Sequence, residues 1–230
     1  MNANRIDPRW KDLYKMAGIA AIVSEIVILL GIVTYFIWPY APGTKTTESI
    51  FLLLQSNPFG GLVSLDLFLV VGNLFSILLF LALYVSLKQV NESYALIALA
   101  VGLIGVVLLI PSRPLFELLS ISARYAAATT DVAKNQYIAT GDTLLALFDG
   151  TGWFMSTLLG AISLLVSSLL MLRSSIYGKS TAIVGIITSV VVCGFFIPVI
   201  GTFLLFLSLP GYMIWYFQLA RRFFQMGRGA

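Results

Sequence analysis

Long apolar runs alternate with short polar stretches along nearly the whole chain. A helix needs about 20 apolar residues to cross the hydrocarbon core of a bilayer. The pattern predicts six transmembrane helices: Tyr14–Trp38, Gly61–Leu87, Tyr94–Leu119, Thr143–Arg173, Ser180–Val199 and Thr202–Phe224. No linker or low-complexity tract interrupts the series, so residues 1–230 are expected to form a single all-α transmembrane domain, a six-helix bundle.

The last two predicted spans come from one uncharged run, Ser180–Ala220. At about 1.5 Å per residue, one helix of that length would reach roughly 60 Å, or two membrane thicknesses. Pro198 and Gly201 lie at the middle of the run and favour a turn there. We therefore expect two spans joined by a tight hairpin.

The composition agrees with a membrane protein. The chain is 59% hydrophobic and 10% charged, whereas a soluble domain carries about 25% charged residues. A soluble fold of this size could not bury so much apolar surface, but a lipid bilayer solvates it. The basic stripe with interleaved aromatics that is typical of nucleic-acid binding is missing from the sequence. The lipid bilayer is therefore the expected partner.

The basic residues between the spans indicate the orientation, because cytoplasmic connections carry an excess of Lys and Arg. If the N-terminus lies in the cytoplasm, ten basic residues lie on that side and three on the other. The ten are Arg5, Arg9, Lys11, Lys15, Lys88, Arg173, Lys179, Arg221, Arg222 and Arg228, and the three are Lys45, Arg124 and Lys134. Both termini are therefore predicted to be cytoplasmic.

Two connections on the opposite side are long enough to contain helices. In residues 39–60, the segment TTESIFLLLQS has an apolar run that Thr46 or Thr47 would cap and Pro58 would stop. It is too short to cross the membrane, so we predict an interfacial or lid-like helix. Residues 120–142 are predicted to extend the third and fourth helices above the membrane.

Small residues recur at helical spacing in the fourth and fifth spans. Helices in lipid gain little from hydrophobicity, so their close contacts depend on small side chains. These positions are Asp149, Gly152, Ser156, Gly160, Ser163 and Ser167 in the fourth span, and Thr181, Gly185, Ser189 and Cys193 in the fifth. We predict that both faces pack against neighbouring helices, with a lined pathway as the alternative.

Charged residues within the spans collect at one depth. The topology places four of them in the outer third of the bilayer: Asp66, Arg113, Glu117 and Asp149. An unpaired charge there costs roughly 2.5–3.5 kcal/mol, so Arg113 needs partners. Glu117 lies one helical turn away, and Asp66 or Asp149 would reach it from adjacent spans. These four residues, with Asn73 deeper on the face of Asp66, are the predicted ligand-binding residues.

Two prolines flank Arg113 in the stretch LLIPSRPLFELL. Pro111 cannot donate to the carbonyl of Val107, and Pro114 cannot donate to that of Ile110. The freed carbonyls would attract the guanidinium or water. A broken helix at membrane depth is tolerated only where it is buried in protein or lines a wet cavity. The stretch therefore indicates either a structural ion-pair clasp or the floor of an outward-facing pocket.

Glu25 falls near the middle of the first span, without an obvious cation beside it. A carboxyl group at that depth is expected to be protonated or hydrogen-bonded. A proton-relay role for Glu25 follows as a hypothesis.

The sequence contains no histidine, which removes the commonest metal ligand and the usual general base. It also lacks a phosphate-binding glycine loop and a dinucleotide-binding motif. We therefore predict no catalytic residue, no metal and no cofactor.

Three stretches carry a resemblance to a known family. They are YKMAGIAAIV in the first span, GLVSLDLFLVVGNLFSILLFLALYVSLKQVN in the second, and LFDGTGWFMSTLLGAISLLVSSLLMLRSSIYGKSTAIVGIITS in the fourth and fifth. They resemble the bacterial and archaeal membrane family called domain of unknown function 4386. The resemblance implies six spans in a prokaryotic cell membrane and no known activity. It also places Asp66 and Asp149 at recurrent acidic positions of the family.

The function that these residues favour is non-enzymatic: binding, sensing or transport of a small solute or proton in an outward-facing polar pocket. The alternative is a structural or accessory subunit that docks onto another membrane protein or onto a second copy of the chain. A membrane-embedded lipid enzyme comes third. A wet cavity reaching Arg113 would support the pocket, and a dry, paired cluster would support the structural role.

The orientation can be tested by thiol labelling in intact cells. Cysteines introduced at Thr46 and Thr130 are expected to react with a membrane-impermeant reagent, because both positions are predicted to lie outside. A cysteine at Gly229 is expected to stay unlabelled until the cells are opened. The opposite pattern would reverse the predicted orientation.

Overall fold

The chain folds into helices joined by short connections. A computed structural model describes residues 8–229, and within that range it contains no strand. The α-helices are α1 (Lys11–Tyr35), α2 (Thr47–Ser56), α3 (Pro58–Ser64), α4 (Leu67–Leu87), α5 (Glu92–Leu109), α6 (Leu115–Ala127), α7 (Asp131–Ala146), α8 (Thr151–Leu172), α9 (Lys179–Cys193) and α10 (Gly201–Arg228). Arg5, which the charge count includes, lies outside the described residues.

Six helical segments of the described chain are long and apolar enough to cross a membrane. They are Pro8–Tyr35, Leu67–Leu87, Glu92–Ala127, Asp131–Leu172, Lys179–Phe196 and Gly201–Arg228. The third combines α5 with α6, and the fourth combines α7 with α8. The all-α, six-span fold of a multi-pass membrane protein is confirmed, and the orientation of its termini stays a prediction.

The second span begins at Leu67 rather than at Gly61. The residues before it form the separate helix α3, which Pro58 starts at a position where proline is tolerated. The Asn57 side chain caps α3 by accepting a backbone N–H at 2.9 Å. The predicted stop at Pro58 is therefore only partly right, because α2 ends at Ser56 and Pro58 opens the next helix.

The chain divides into two compact units. The first unit contains residues 8–26, 73–107 and 156–229, and the second contains residues 27–72 and 108–155. Each unit has a hydrophobic core of its own. The single transmembrane domain over residues 1–230 stays a prediction.

Aromatic and aliphatic side chains from α1, α8 and α10 form much of the core of the first unit. Tyr14, Met171, Leu219 and Phe223 are almost completely buried. The rings of Tyr14 and Phe223 stack with their centroids 6.2 Å apart. This core packs the start of α1 against the last turns of α10.

Several small residues of α8 and α9 pack closely, as their spacing predicted, but a Cβ atom on Gly160 would meet open space and Asp149 is exposed, so the prediction is wrong for these two residues. Ser163 is buried, and its hydroxyl donates to an α5 carbonyl oxygen at 2.7 Å. Gly185 leaves no room for a Cβ atom, because the side chains of Ser168 and Trp215 occupy that space. Cys193 is exposed, so the packing role predicted for this residue is wrong.

The predicted hairpin between the last two spans is confirmed. α9 ends at Cys193, a 3-10 turn covers Gly194–Phe196, and α10 begins at Gly201. A Cβ atom on Gly201 would collide with the carbonyl oxygen of Phe195. The two helices pack against each other along the hairpin, so the absent side chain at Gly201 permits the tight turn.

In the second unit, α2 packs against α6 and α7. Phe51 and Leu54 of α2 are almost completely buried, as is Leu118 of α6. The Thr46 hydroxyl caps α2 by accepting the Ser49 N–H at 3.3 Å. The predicted short helix and its threonine cap are therefore confirmed.

Polar contacts also hold α2 in place. The Tyr125 hydroxyl donates to Glu48 at 2.7 Å, and the Thr47 hydroxyl donates to Asp142. Tyr125 lies in α6 and Asp142 in α7, so helices do continue through most of residues 120–142 as predicted. A lid function for α2 stays a prediction.

Two glycines of the first unit allow a test of this close packing. Gly185→Ala would place a methyl group against Ser168 and Trp215, whereas a Cβ atom on Gly160 of α8 would meet open space. Overpacking a core costs about 1–3 kcal/mol. We therefore expect Gly185→Ala to lower the thermal unfolding midpoint of the purified protein in detergent.

Gly160→Ala is the matched control. Alanine favours a helix over glycine by about 1 kcal/mol, so this variant is expected to keep or raise the midpoint. Equal midpoints for the two variants would contradict the close approach at Gly185.

Candidate functional site

The third span is broken at Arg113, as the prolines predicted. A 3-10 turn, Ile110–Ser112, separates α5 from α6, and Arg113 and Pro114 follow it. Arg113 leaves the helical conformation, with φ −127° and ψ 74°. Because Pro111 and Pro114 have no N–H to donate, the continuous hydrogen-bond ladder stops here. The Ile110 carbonyl, predicted to be free, accepts the backbone N–H of Arg113 at 3.1 Å.

The side chain of Arg113 forms a buried ion pair with Asp66. Its Nε donates to Oδ2 of Asp66 at 2.8 Å. Arg113 is 4% exposed and Asp66 is 6% exposed, so the pair is closed to solvent. The predicted pairing of Arg113 with a carboxylate from another span is confirmed at this residue.

Asp66 occupies a second break, between α3 and α4. Its φ is 72°, a left-handed conformation that Asp and Asn adopt more readily than most residues. Its backbone N–H donates to Val63 at 3.1 Å, and its carbonyl accepts from Val70 at 3.1 Å. The Tyr35 hydroxyl donates to Oδ1, so each carboxylate oxygen accepts one hydrogen bond.

A third break supplies a backbone acceptor to the same guanidinium. The 3-10 turn Leu147–Asp149 separates α7 from α8. Nη1 of Arg113 donates to the carbonyl of Phe148 in this turn at 3.1 Å and to that of Ser112 at 3.1 Å. One guanidinium therefore links the breaks at Asp66, Ser112 and Phe148.

Aromatic rings cover the guanidinium of Arg113. Its Cζ lies 4.3 Å from the ring centroid of Trp153 and 4.9 Å from that of Phe148. Both distances permit cation–π attraction, which is stronger where water is excluded. The rings thus stabilise the cation and help to keep the pair dry.

Tyr40 adds a second tyrosine to the surroundings of Asp66. Burial, and then the charge of Asp66, raise the pKa of the Tyr40 hydroxyl. The ring lies edge-on to Tyr35, with centroids 6.2 Å apart. Tyr40 therefore stays neutral and keeps its hydroxyl proton.

The structure does not bring Glu117 and Asp149 into this ion pair. Both are exposed, and among the described residues neither forms a salt bridge. The expected Arg113–Glu117 contact assumes a continuous helix, but the break at Pro114 removes the spacing that would align the two side chains. At Asp149, the carbonyl of the preceding Phe148 makes the contact instead.

Asn73 and Glu25 belong to the first unit. The Asn73 side chain donates to the carbonyl of Val106 at 3.2 Å. Glu25 is partly buried, and its Oε2 has no hydrogen-bond partner within the part of the chain that the structure describes. The proton-relay role of Glu25 and a ligand-binding role of Asn73 stay predictions.

Several components of the site are missing from the sequence-based prediction, among them the Tyr35 hydroxyl, the Trp153 ring and the Phe148 carbonyl. Tyr35 lies at the end of the first span, where aromatic residues are expected to anchor the interface. Trp153 follows Asp149 by four residues, and this proximity to a predicted site residue is the signal that could have identified it.

Comparison with known protein families finds one match. The model of the family described as domain of unknown function (DUF4386) matches residues 16–220. Neither the comparison with curated proteins nor that with solved structures finds a match.

A double-mutant cycle tests the pair. Arg113→Gln and Asp66→Asn are each expected to destabilise the protein, by about 3–5 kcal/mol if the remaining partner stays charged. Asn is the preferred replacement because it adopts the left-handed backbone of Asp66. The double variant should cost less than the sum of the two single losses, as measured by thermal or denaturant unfolding in detergent.

Glu117→Gln is the matched control for the cycle. Because Glu117 is exposed, its loss is expected to change stability by less than about 0.5 kcal/mol and to add independently to Arg113→Gln. Additive losses for Arg113 and Asp66, or strong coupling between Arg113 and Glu117, would contradict the structure of the site.

Proposed function

We propose that this chain, which belongs to the DUF4386 family, keeps its Arg113–Asp66 pair as the closed state of a site that binds a proton or a small solute. The family description assigns no activity, so the proposal rests on the site alone. According to this proposal, the protein binds, senses or transports the solute in the cell membrane without catalysing a reaction, and its site opens to the outside.

The observation that carries the proposal is the convergence of three helix breaks on one buried guanidinium. Non-helical backbone at membrane depth is found where it is buried in protein or lines a cavity. Transporters use such discontinuous helices to place charged groups and free backbone groups around a substrate. The breaks at Asp66, Ser112 and Phe148 supply this combination within one unit.

Each residue has a distinct role in this proposal. Asp66 accepts the proton or the donor group of the solute, and Arg113 is the counter-charge that holds Asp66 when the site is empty. Tyr35 donates to the remaining carboxylate oxygen. Trp153 and Phe148 cover the guanidinium and separate it from water in the closed state.

A structural or accessory subunit is the second candidate, and the closed state of the pair favours it. Both charged side chains are almost completely buried, and buried ion pairs can fix the register of helices without binding a ligand. In that case the pair would stay closed throughout the life of the folded protein. The two candidates therefore differ in whether the site opens to water.

Thiol reactivity measures this opening without knowledge of the ligand. Ser112 is 3% exposed and adjoins Arg113, and Ser112→Cys changes its size little. In a Cys193→Ala background, we expect this cysteine to react slowly but measurably with a small, water-soluble thiol reagent in native membranes. Arg113→Gln should speed the reaction, because it removes the ion pair that closes the site.

Ser122→Cys in the same background is the matched control. Ser122 lies in the same unit, is 1% exposed, and makes the same type of hydroxyl bond to the third residue before it. It is expected to stay unreactive. Equal rates at both positions would indicate general loosening of the unit. No reaction at position 112 would favour the structural role.

A further inference from the structure

A second polar site lies in the first unit, at a cavity of about 480 Å³. Its walls come from the connection after α8, the first turn of α9 and the later turns of α10. A volume of this size is in the range of pockets for small organic ligands, roughly 300–1,000 Å³. The cavity has no residue in common with the Arg113 site.

The charge of the cavity has one sign. Arg221 and Arg222 both line it, and none of the described residues along its wall is acidic. Thr181, Gln218 and Gln225 add neutral polar groups. This lining favours an anion, and the flat guanidinium groups suit the oxygens of a phosphate.

Arg222 is held in place and has an unused donor. Its Nη1 donates to Oε1 of Gln225 at 2.9 Å. Its Nε is buried and has no acceptor within residues 8–229. A buried donor without a partner is costly, so Nε shows that residues 8–229 do not complete the hydrogen bonds of Arg222.

Gln218 has an acceptor without a donor, the counterpart of the unpaired donor of Arg222. Its amide nitrogen donates to the Ser180 hydroxyl at 3.3 Å, but its buried Oε1 accepts no hydrogen bond from any described residue. A phosphate oxygen cannot satisfy this acceptor, whereas a hydroxyl can. The wall therefore offers guanidinium donors to an anion and side-chain amides to a hydroxyl group.

The start of α9 contributes to the same cavity. Gly178 and Thr181 line it, and Gly178 is the N-cap residue of α9 and provides no side-chain cap. The first N–H groups of a helix have no acceptor within the helix and carry a partial positive charge. They add to the positive character that the two arginines establish.

We propose that this cavity binds a phosphate ester that carries a hydroxyl group, with the guanidinium groups of Arg221 and Arg222 on the phosphate and the side-chain amide of Gln218 on the hydroxyl. A glycerophosphate group has this chemistry, and it occurs both as a lipid headgroup and as a soluble compound. Basic pockets between transmembrane helices on the cytoplasmic side bind anionic headgroups, and the cavity lies at the helix ends predicted to be cytoplasmic. The proposal does not depend on the function proposed for Arg113.

Two probes distinguish the sources. The purified protein is melted in detergent with sn-glycerol 3-phosphate, against sodium chloride of equal ionic strength. It is also melted in nanodiscs of phosphatidylglycerol mixed with phosphatidylcholine, against phosphatidylcholine alone. We expect a concentration-dependent rise in melting temperature in one arm. A rise only in the nanodiscs identifies a lipid headgroup, and a rise with the soluble probe identifies a soluble phosphate ester.

Variants assign the rise to the cavity. Arg222→Gln is expected to weaken the apparent affinity about tenfold or more, the effect of losing one charge-assisted hydrogen bond. Gln218→Glu keeps the size of the side chain and adds a repelling charge, so it tests the site independently if Arg222→Gln is unstable. Arg228→Gln is the control, because Arg228 lies on the same helix, is exposed and does not line the cavity.

The outcomes separate cleanly. Loss of the effect in Arg222→Gln or Gln218→Glu, with Arg228→Gln unchanged, supports the proposal. The absence of a rise with both probes overturns it. An equal loss in Arg228→Gln also overturns it, because that result would mean general attraction to positive charge.

Discussion

The buried guanidinium of Arg113 is the constraint on which the second unit depends. A charge at membrane depth costs roughly 2.5–3.5 kcal/mol when it is unpaired, and a regular helix offers no free carbonyl to relieve that cost. The chain meets the demand by leaving the helical conformation near the guanidinium, at Asp66, Ser112 and Phe148. The breaks supply the acceptors that stabilise the buried guanidinium, and the guanidinium in turn satisfies the carbonyl groups that the breaks leave free.

Much of this architecture could be predicted because it depends on length and on burial cost. The six spans follow from apolar runs of membrane length, and the hairpin before α10 follows from a run too long for one crossing. The pairing of Arg113 with Asp66 or Asp149 follows from topology, since only residues at one depth can meet, and the structure selects Asp66. The start of α4 could not be predicted from the sequence, because it depends on the backbone conformation of Asp66.

The rest of the site depends on helix rotation, which hydropathy does not specify. Glu117 is one turn from Arg113 in sequence, but Pro114 interrupts the helix between them, so the spacing rule does not apply. Tyr35 and Trp153 contact the pair because α1 and α8 are rotated so that these side chains point toward it. From the sequence, the basic residues of α10 indicate only the orientation of the chain. The cavity that two of them line forms only because α9 packs beside α10.

The positive φ of Asp66 changes what counts as a conservative replacement there. Glutamate keeps the charge, but its longer side chain favours the helical conformation and gains nothing from a left-handed backbone. Asparagine loses the charge but fits the backbone, and glycine fits it without any side chain. Position 66 therefore requires a residue that tolerates the left-handed backbone and also carries a negative charge. Aspartate combines the two properties.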